Sequence, residues 1–131
     1  MREITLRSER RTQLIEITGE VESALEGAEG VAALLFVPHT TAGLTINEHA
    51  DPAVARDLEA AMERMVGDDW GWEHIEAGEE NAPSHVRAVL AGPQVLIPLR
   101  DGQLALGTWQ GIFFCEFDGP RTRTVLVTPL Q

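Results

Sequence analysis

Two runs near the start, Glu3 to Arg7 and Thr12 to Ile17, alternate apolar and polar residues with the period of a strand. The charged segment Ser8 to Arg11 between them predicts a hairpin connection. Gly19 to Gly27 sets Val21, Ala24 and Leu25 at helical spacing with glutamates elsewhere, which predicts a short scaffold helix. Val31 to Val37 is an unbroken apolar run that reads as a buried strand, stopped by Pro38. A polar loop then carries His39, Thr40, Thr41, Asn47, Glu48 and Asp51, and Asp51-Pro52 supplies the N-cap and first-turn proline of a helix reaching Met65. Val54, Leu58, Ala61, Met62 and Met65 line one face of it, and such a stripe is expected to be core.

Asp68 to Glu80 is crowded with carboxylates around Trp70, Trp72 and His74 and has no periodicity, so it predicts a long loop. Asn81-Ala82-Pro83 opens a helix over Ser84 to Ala91, closed by Gly92-Pro93, in which His85 shares a face with Val89 and is expected to point inward. Gln94 to Leu99 and Gln103 to Leu106 flank an Asp101-Gly102 turn, with Pro98 marking an edge or irregular position. Trp109 to Phe117 and Thr122 to Thr128 flank Asp118 to Arg121 and predict a second hairpin. Alternation puts Gln110, Ile112, Phe114 and Glu116 on one face, so Glu116 needs a partner if it is buried. The pattern predicts an α+β fold, a mainly antiparallel β-sheet with two or three helices, in a single domain over residues 1–131.

Composition narrows the chemistry. With 21 acidic against 10 basic residues the formal charge is -11, a field that repels nucleic acid and anionic membranes. Every basic residue is arginine, which excludes a Schiff-base lysine and a Walker-type phosphate loop. Cys115 is the single cysteine and lies in an apolar run, as expected for a packed core thiol. No stretch is apolar for long enough to span a bilayer, and Met1-Arg2-Glu3 does not open like a signal peptide; a cytoplasmic protein is expected. A chain of 131 residues is short for an enzyme that encloses its substrate alone, so a homo-oligomer is expected.

Three groupings carry candidate chemistry. His39, His74 and His85 sit at element boundaries, and three neutral imidazoles with an open fourth position would suit zinc; the competing reading is three histidines that hydrogen-bond loops. Glu48, Asp51 and Asp57 with Asn47 offer oxygen ligands to a harder ion, magnesium or calcium, although capping by Asp51 and solvation of Asp57 are the stronger explanations of those residues singly. Gly107-Thr108-Trp109-Gln110-Gly111 spends two glycines where a backbone or ligand approaches closely. Arg121 and Arg123 alternate onto one face and would clamp a phosphate, with solvated edge arginines as an equal competing reading. His49 is expected to be exposed and is set aside.

The segments His39-Thr-Thr-Ala-Gly-Leu-Thr-Ile-Asn-Glu48, Ala50-Asp51-Pro52, Trp72-x-His74 and Gly78-x-x-Asn81-Ala-Pro-x-His85 resemble the YjbQ-like family of secondary thiamine-phosphate synthases. Ile97-Pro98, Leu106-Gly-Thr-Trp-Gln-Gly-Ile-Phe113 and Glu116-Phe-Asp-Gly-Pro-Arg121 extend the resemblance over nearly the whole chain. It implies an α+β domain that assembles as a trimer with possible sites at subunit boundaries. It also implies a weak synthase activity that joins a pyrimidine pyrophosphate to a thiazole phosphate. The family's histidines correspond to His39, His74 and His85, its carboxylates to Glu48 and Glu116. On this reading a divalent metal, zinc or magnesium, is held by His39, His74 and His85. Catalysis falls to His39, Glu48 and Glu116, and the small phosphorylated substrate to Thr40, Thr41, Asn47, Trp109, Gln110 and Arg121. The alternatives are a metal-dependent hydrolase of a small phosphorylated compound and a non-enzymatic ligand-binding trimer.

Overall fold

A computed structural model describes residues 1–75 and 80–131. The strands are β1 (Arg2–Arg7), β2 (Gln13–Glu16), β3 (Ala32–Phe36), β4 (Ala42–Glu48), β5 (Gln94–Arg100), β6 (Gln103–Leu104), β7 (Gln110–Glu116) and β8 (Thr122–Leu130). Helix α1 (Thr18–Ala24) follows β2, and α2 (Pro52–Met65) and α3 (Ala82–Ala91) lie between β4 and β5. All strand pairing is antiparallel, in a five-stranded sheet ordered β1-β8-β3-β5-β6 and a three-stranded sheet ordered β2-β7-β4. The expected α+β class is what forms.

The sheets face each other across one core. Ile4, Ala33, Leu35, Ile97, Val125 and Val127 come from the larger sheet, Leu44, Ile112 and Phe114 from the smaller, and Ile17, Val21 and Leu25 from α1 and its flanks. Residues on the opposite face of β7, Phe113 and Cys115, are buried as well. A strand covered on both sides has no need to alternate, which is why Ile112 to Cys115 is continuously apolar. Helices pack over that second face, α2 against β2 and α3 against β4. Gly43 permits the approach of α3, because a Cβ there would stand 2.5 Å from the Gly92 carbonyl oxygen, and the Leu44 amide donates to that oxygen at 3.0 Å.

Four sequence expectations change. Ser8 to Arg11 is not a hairpin turn, since β1 pairs with β8 in one sheet and β2 with β7 in the other. Asp118 to Arg121 likewise carries the chain between sheets rather than closing a β7–β8 hairpin. The polar loop after His39 contains a strand, β4, whose threonine, glycine and asparagine obscure its pattern. The apolar stripe of α2 is not core: Met65 is exposed, and the buried residue of the helix is Glu59. Glu59 faces inward because it is satisfied there, accepting the Leu14 amide at 2.7 Å and two hydrogen bonds from the Arg10 guanidinium at 3.1 and 3.2 Å.

Asp51 caps α2 through the Ala53 amide at 2.9 Å with Pro52 in the first turn, as the sequence suggests. The other end is closed from outside. Buried Arg87 of α3 donates to the carbonyls of Met62 at 3.0 Å, Glu63 at 3.3 Å and Val66 at 2.7 Å, groups a helix C-terminus would otherwise leave unsatisfied.

Candidate functional site

Register separates the predicted residues. Ala42 pairs with Glu116 at one end of the β4–β7 ladder and Glu48 with Gln110 at the other. Six strand steps lie between, about 20 Å. His39, Thr40, Thr41, Glu116 and Arg121 therefore gather at one end of the smaller sheet. Asn47, Glu48, Trp109 and Gln110 occupy the opposite end, so a single site built from both sets does not exist within one chain.

Glu116 anchors the first end. It is 0% exposed, and Arg123 is 3% exposed beside it. The Arg123 guanidinium donates from Nε to Glu116 Oε1 at 2.8 Å and from Nη2 to Oε2, and Nη2 also reaches Thr41 Oγ1 at 2.8 Å. Ser8 Oγ donates to Oε1 at 2.7 Å and the Asp118 amide to Oε2 at 3.0 Å. Burial alone would raise the carboxyl pKa, but the bonds from Arg123, Ser8 and Asp118 outweigh it and hold the group below its ordinary value. The predicted need for a partner is met, and the partner is Arg123. No face of Glu116 or Thr41 remains for substrate; both position Arg123. The expected clamp of Arg121 with Arg123 does not form either, since Arg123 is spent inside the protein.

Arg121 stays half exposed, with a side-chain exposure of 51%. Its Nε donates to the Asp118 carbonyl at 2.9 Å and its Nη2 to Asp118 Oδ2 at 2.6 Å, which fixes the guanidinium and leaves Nη1 without a protein partner among the described residues. Asp118 Oδ2 also accepts Asn81 Nδ2 at 2.8 Å, tying this turn to the start of α3. Nearby His39 is half-buried, and its Nε2 accepts the Thr124 amide at 3.0 Å. In the neutral ring the proton therefore sits on Nδ1. Burial first, then the charges of Arg123 and Arg121, push its pKa below 6.5 against the opposing pull of Glu116. His39 is thus a neutral hydrogen-bond donor at physiological pH.

His74 and His85 meet with ring centroids 5.2 Å apart, edge to face. His85 is half-buried rather than inward-pointing, and Val89 one turn on is 79% exposed. His74 borders a cleft of about 410 Å³ with Arg11, Asp68, Trp72 and Pro83. The Gly119 amide donates to the Arg11 carbonyl at 3.2 Å, so the turn that holds Arg121 also supports this wall. Two imidazoles sharing a tetrahedral ion at about 2.0 Å from each nitrogen would have centroids about 5 Å apart, and the observed spacing fits. His39 does not complete the set: among the described residues no three His, Cys, Asp or Glu side chains converge on one point. The family-type residue Gly78 lies outside the described residues.

At the far end, Asn47 Oδ1 accepts the Glu48 amide at 2.7 Å, and Gln110 Oε1 accepts the Gly107 amide at 2.8 Å. Trp109 is 64% exposed. Gly111 is needed for close approach, as its spacing suggests: a Cβ there would lie 2.7 Å from both Glu16 Oε2 and His49 Cβ. Those two residues form a pair that the sequence does not announce, with His49 Nδ1 2.6 Å from Glu16 Oε2. They are 33 positions apart in the chain, and only the β2–β7–β4 pairing brings them together. Cys115 is the inert core thiol expected, with burial raising its pKa to about 12. No helix among the described residues is long and apolar enough to cross a membrane.

The fold and the sequence have close counterparts. The UPF0047 protein YugU of Bacillus subtilis is 43% identical over 131 residues, covering 97% of this chain and 96% of that protein. A UPF0047 protein of Archaeoglobus fulgidus is 43% identical over 128 residues, covering 98% and 99%. The crystal structure of an uncharacterized conserved protein of the YjbQ/UPF0047 family from Clostridium acetobutylicum superposes with a TM-score of 0.91 at 42% identity, covering 98% of each chain. Hypothetical protein APE1520 of Aeropyrum pernix follows at a TM-score of 0.89 and 38% identity, covering 98% of this chain and 96% of that one. The family model described as UPF0047 protein YjbQ-like matches residues 2–131, and the chain belongs to that family.

Proposed function

We infer that this protein is an enzyme acting on small phosphorylated substrates at the His39–Arg121 end, with a thiamine-phosphate synthase-like transfer as its specific reaction. The observation that carries the reading is Arg121 itself. In a chain of charge -11 it is a fixed, half-exposed guanidinium with an unused Nη1 beside a neutral imidazole donor. The two N–H donors offer an anion a local attraction in a protein whose overall field opposes anions.

The chemistry follows from what each group holds. The thiazole nitrogen attacks the pyrimidine methylene carbon, the carbon–oxygen bond to pyrophosphate breaks, and charge grows on the departing oxygen. Arg121 binds the departing group, and Nδ1–H of His39 donates to it without surrendering a proton. Glu116 acts at one remove by holding Arg123, whose charge adds to the effect of burial in keeping His39 neutral. His74 and His85 would hold a divalent metal, zinc in preference to magnesium because the donors are imidazoles; when bound it would neutralise phosphate charge. A homotrimer fits the reading, because exposed Met65 of α2, Val89 and Leu90 of α3 and the distance between the two ends leave surfaces for a neighbouring copy to complete.

The test is purified protein with zinc or magnesium, both substrates, and separate measurement of thiamine phosphate, pyrophosphate and inorganic phosphate. Thiamine phosphate formed in step with pyrophosphate supports the transfer. Phosphate released without the pyrimidine partner would instead make the protein a hydrolase, and no product from either assay rejects the enzyme reading.

A further inference from the structure

A second cleft lies at the other end of the smaller sheet. It measures about 840 Å³, within the range of small-molecule sites, and runs between the end of α1 and the β5–β6 turn. His49 lines it, and the pair it makes with Glu16 is built rather than incidental. Thr18 Oγ1 donates to Glu16 Oε2 at 2.9 Å and accepts the Ile112 amide at 2.9 Å, so the carboxylate is held from behind. The His49 amide donates to the Trp109 carbonyl at 2.9 Å, which fixes the other partner. Gly111 leaves the space in which they meet.

A carboxylate only accepts, so Glu16 assigns the proton of the neutral imidazole to Nδ1. His49 Nε2 then carries a lone pair and has no protein partner among the described residues. A ligand meeting this atom must bring a donor. The rest of the lining says which kind: Glu22, Glu26 and Asp101 contribute carboxylates and no arginine contributes, while Leu25, Leu104 and Leu106 add apolar surface. Phosphates and carboxylates are repelled there. A bare divalent ion is poorly served, because no three ionisable donors converge among the described residues.

We propose that this cleft is a second ligand site, separate from the phosphate end, that takes a small organic cation bearing an N–H donor on an apolar body, with His49 Nε2 as acceptor and Glu16 as the residue that sets its tautomer. None of its residues belongs to the His39–Arg121 end, so the outcome is independent of the synthase assay.

The experiment titrates full-length protein, with histidine imidazoles labelled with nitrogen-15, against benzylammonium chloride and, separately, sodium benzoate. Benzylammonium is expected to shift the His49 Nε2 resonance saturably, and benzoate to leave it unmoved. His49→Ala changes a partly exposed side chain and is expected to fold; compared with the unaltered protein by calorimetry, it should bind benzylammonium about fivefold more weakly, the loss of one hydrogen bond. Gly111→Ala, which drives a methyl into the pair, should weaken binding similarly. Equal response to benzoate, unchanged affinity in His49→Ala, no saturable shift, or protein-concentration-dependent broadening of cleft signals without probe, marking a contact between copies, would each overturn the proposal.

Discussion

Replacing Arg123 by Met keeps the length and apolar stem of the side chain and removes its charge, so it isolates what the guanidinium does for Glu116. The variant loses both bonds into the carboxylate and the two to the Thr41 hydroxyl and carbonyl, while Ser8 and the Asp118 amide remain. Because Glu116 is 0% exposed, it cannot turn to water for replacements. Breaking a buried pair from one side costs about 3–5 kcal/mol. At about 2.1 cal/mol/K per residue over 131 residues this lowers Tm by roughly 11–18 °C.

The dependence on pH distinguishes this cause from lost packing. In the native protein the Glu116 pKa is depressed, so its stabilising contribution is complete above the unfolded-state value and is lost only as pH falls through the still lower folded value. Between pH 7.5 and 5.5 that contribution is flat. Without Arg123, burial dominates and the folded-state pKa rises above the unfolded one. The folded variant then binds a proton that the unfolded chain does not, and acidification from pH 7.5 to 5.5 should recover part of the loss. Urea denaturation at fixed protein concentration measures both quantities. Glu116→Gln with Arg123→Met should regain at least half of the deficit, since no lone charge stays behind. A single-variant loss below about 1 kcal/mol, or a variant that weakens further on acidification, would refute the argument.

Other consequences are equally direct. Gly111→Ala should cost about 1–3 kcal/mol by thermal melting, because the obstructing atoms include His49 Cβ, which cannot swing away. Arg87→Met should let the last turn of α2 exchange its amide hydrogens faster while α3 stays protected, since three carbonyls lose their donor. Cys115 should resist iodoacetamide at pH 8 in the folded protein and react once urea unfolds it, its thiol being buried with a pKa of about 12.

Local signals in the sequence are read correctly where one element decides them. The Val31 to Val37 run gives β3, Asp51-Pro52 gives the start of α2, and Asp101-Gly102 gives the β5–β6 turn. Pairing between elements is less legible. Ser8 to Arg11 and Asp118 to Arg121 look like hairpin turns because a short polar connection is the same whether the next strand folds back or crosses to another sheet. The stripe on α2 misleads because helical spacing reports a shared face, not whether anything covers it; Glu59, on another face, finds Arg10 and the Leu14 amide and goes inside instead. Candidate residues fare similarly. Ligand-type side chains in order along the chain suggest one site, yet a strand of seven residues lies between Thr41 and the residues after Glu48 and carries them apart. His49 is exposed as expected, but its pairing escapes notice because its partner belongs to β2, and Arg123 is misassigned because alternation cannot tell a buried ion pair from an exposed clamp.

Binding of inorganic pyrophosphate, measured by calorimetry in the presence of zinc, tests the assignment of the phosphate site to one end of the sheet. Arg121→Ala should weaken binding at least about tenfold, one charge-assisted bond, and Glu48→Gln at the other end should leave it unchanged. Equal affinity in Arg121→Ala, or loss in Glu48→Gln instead, would contradict it.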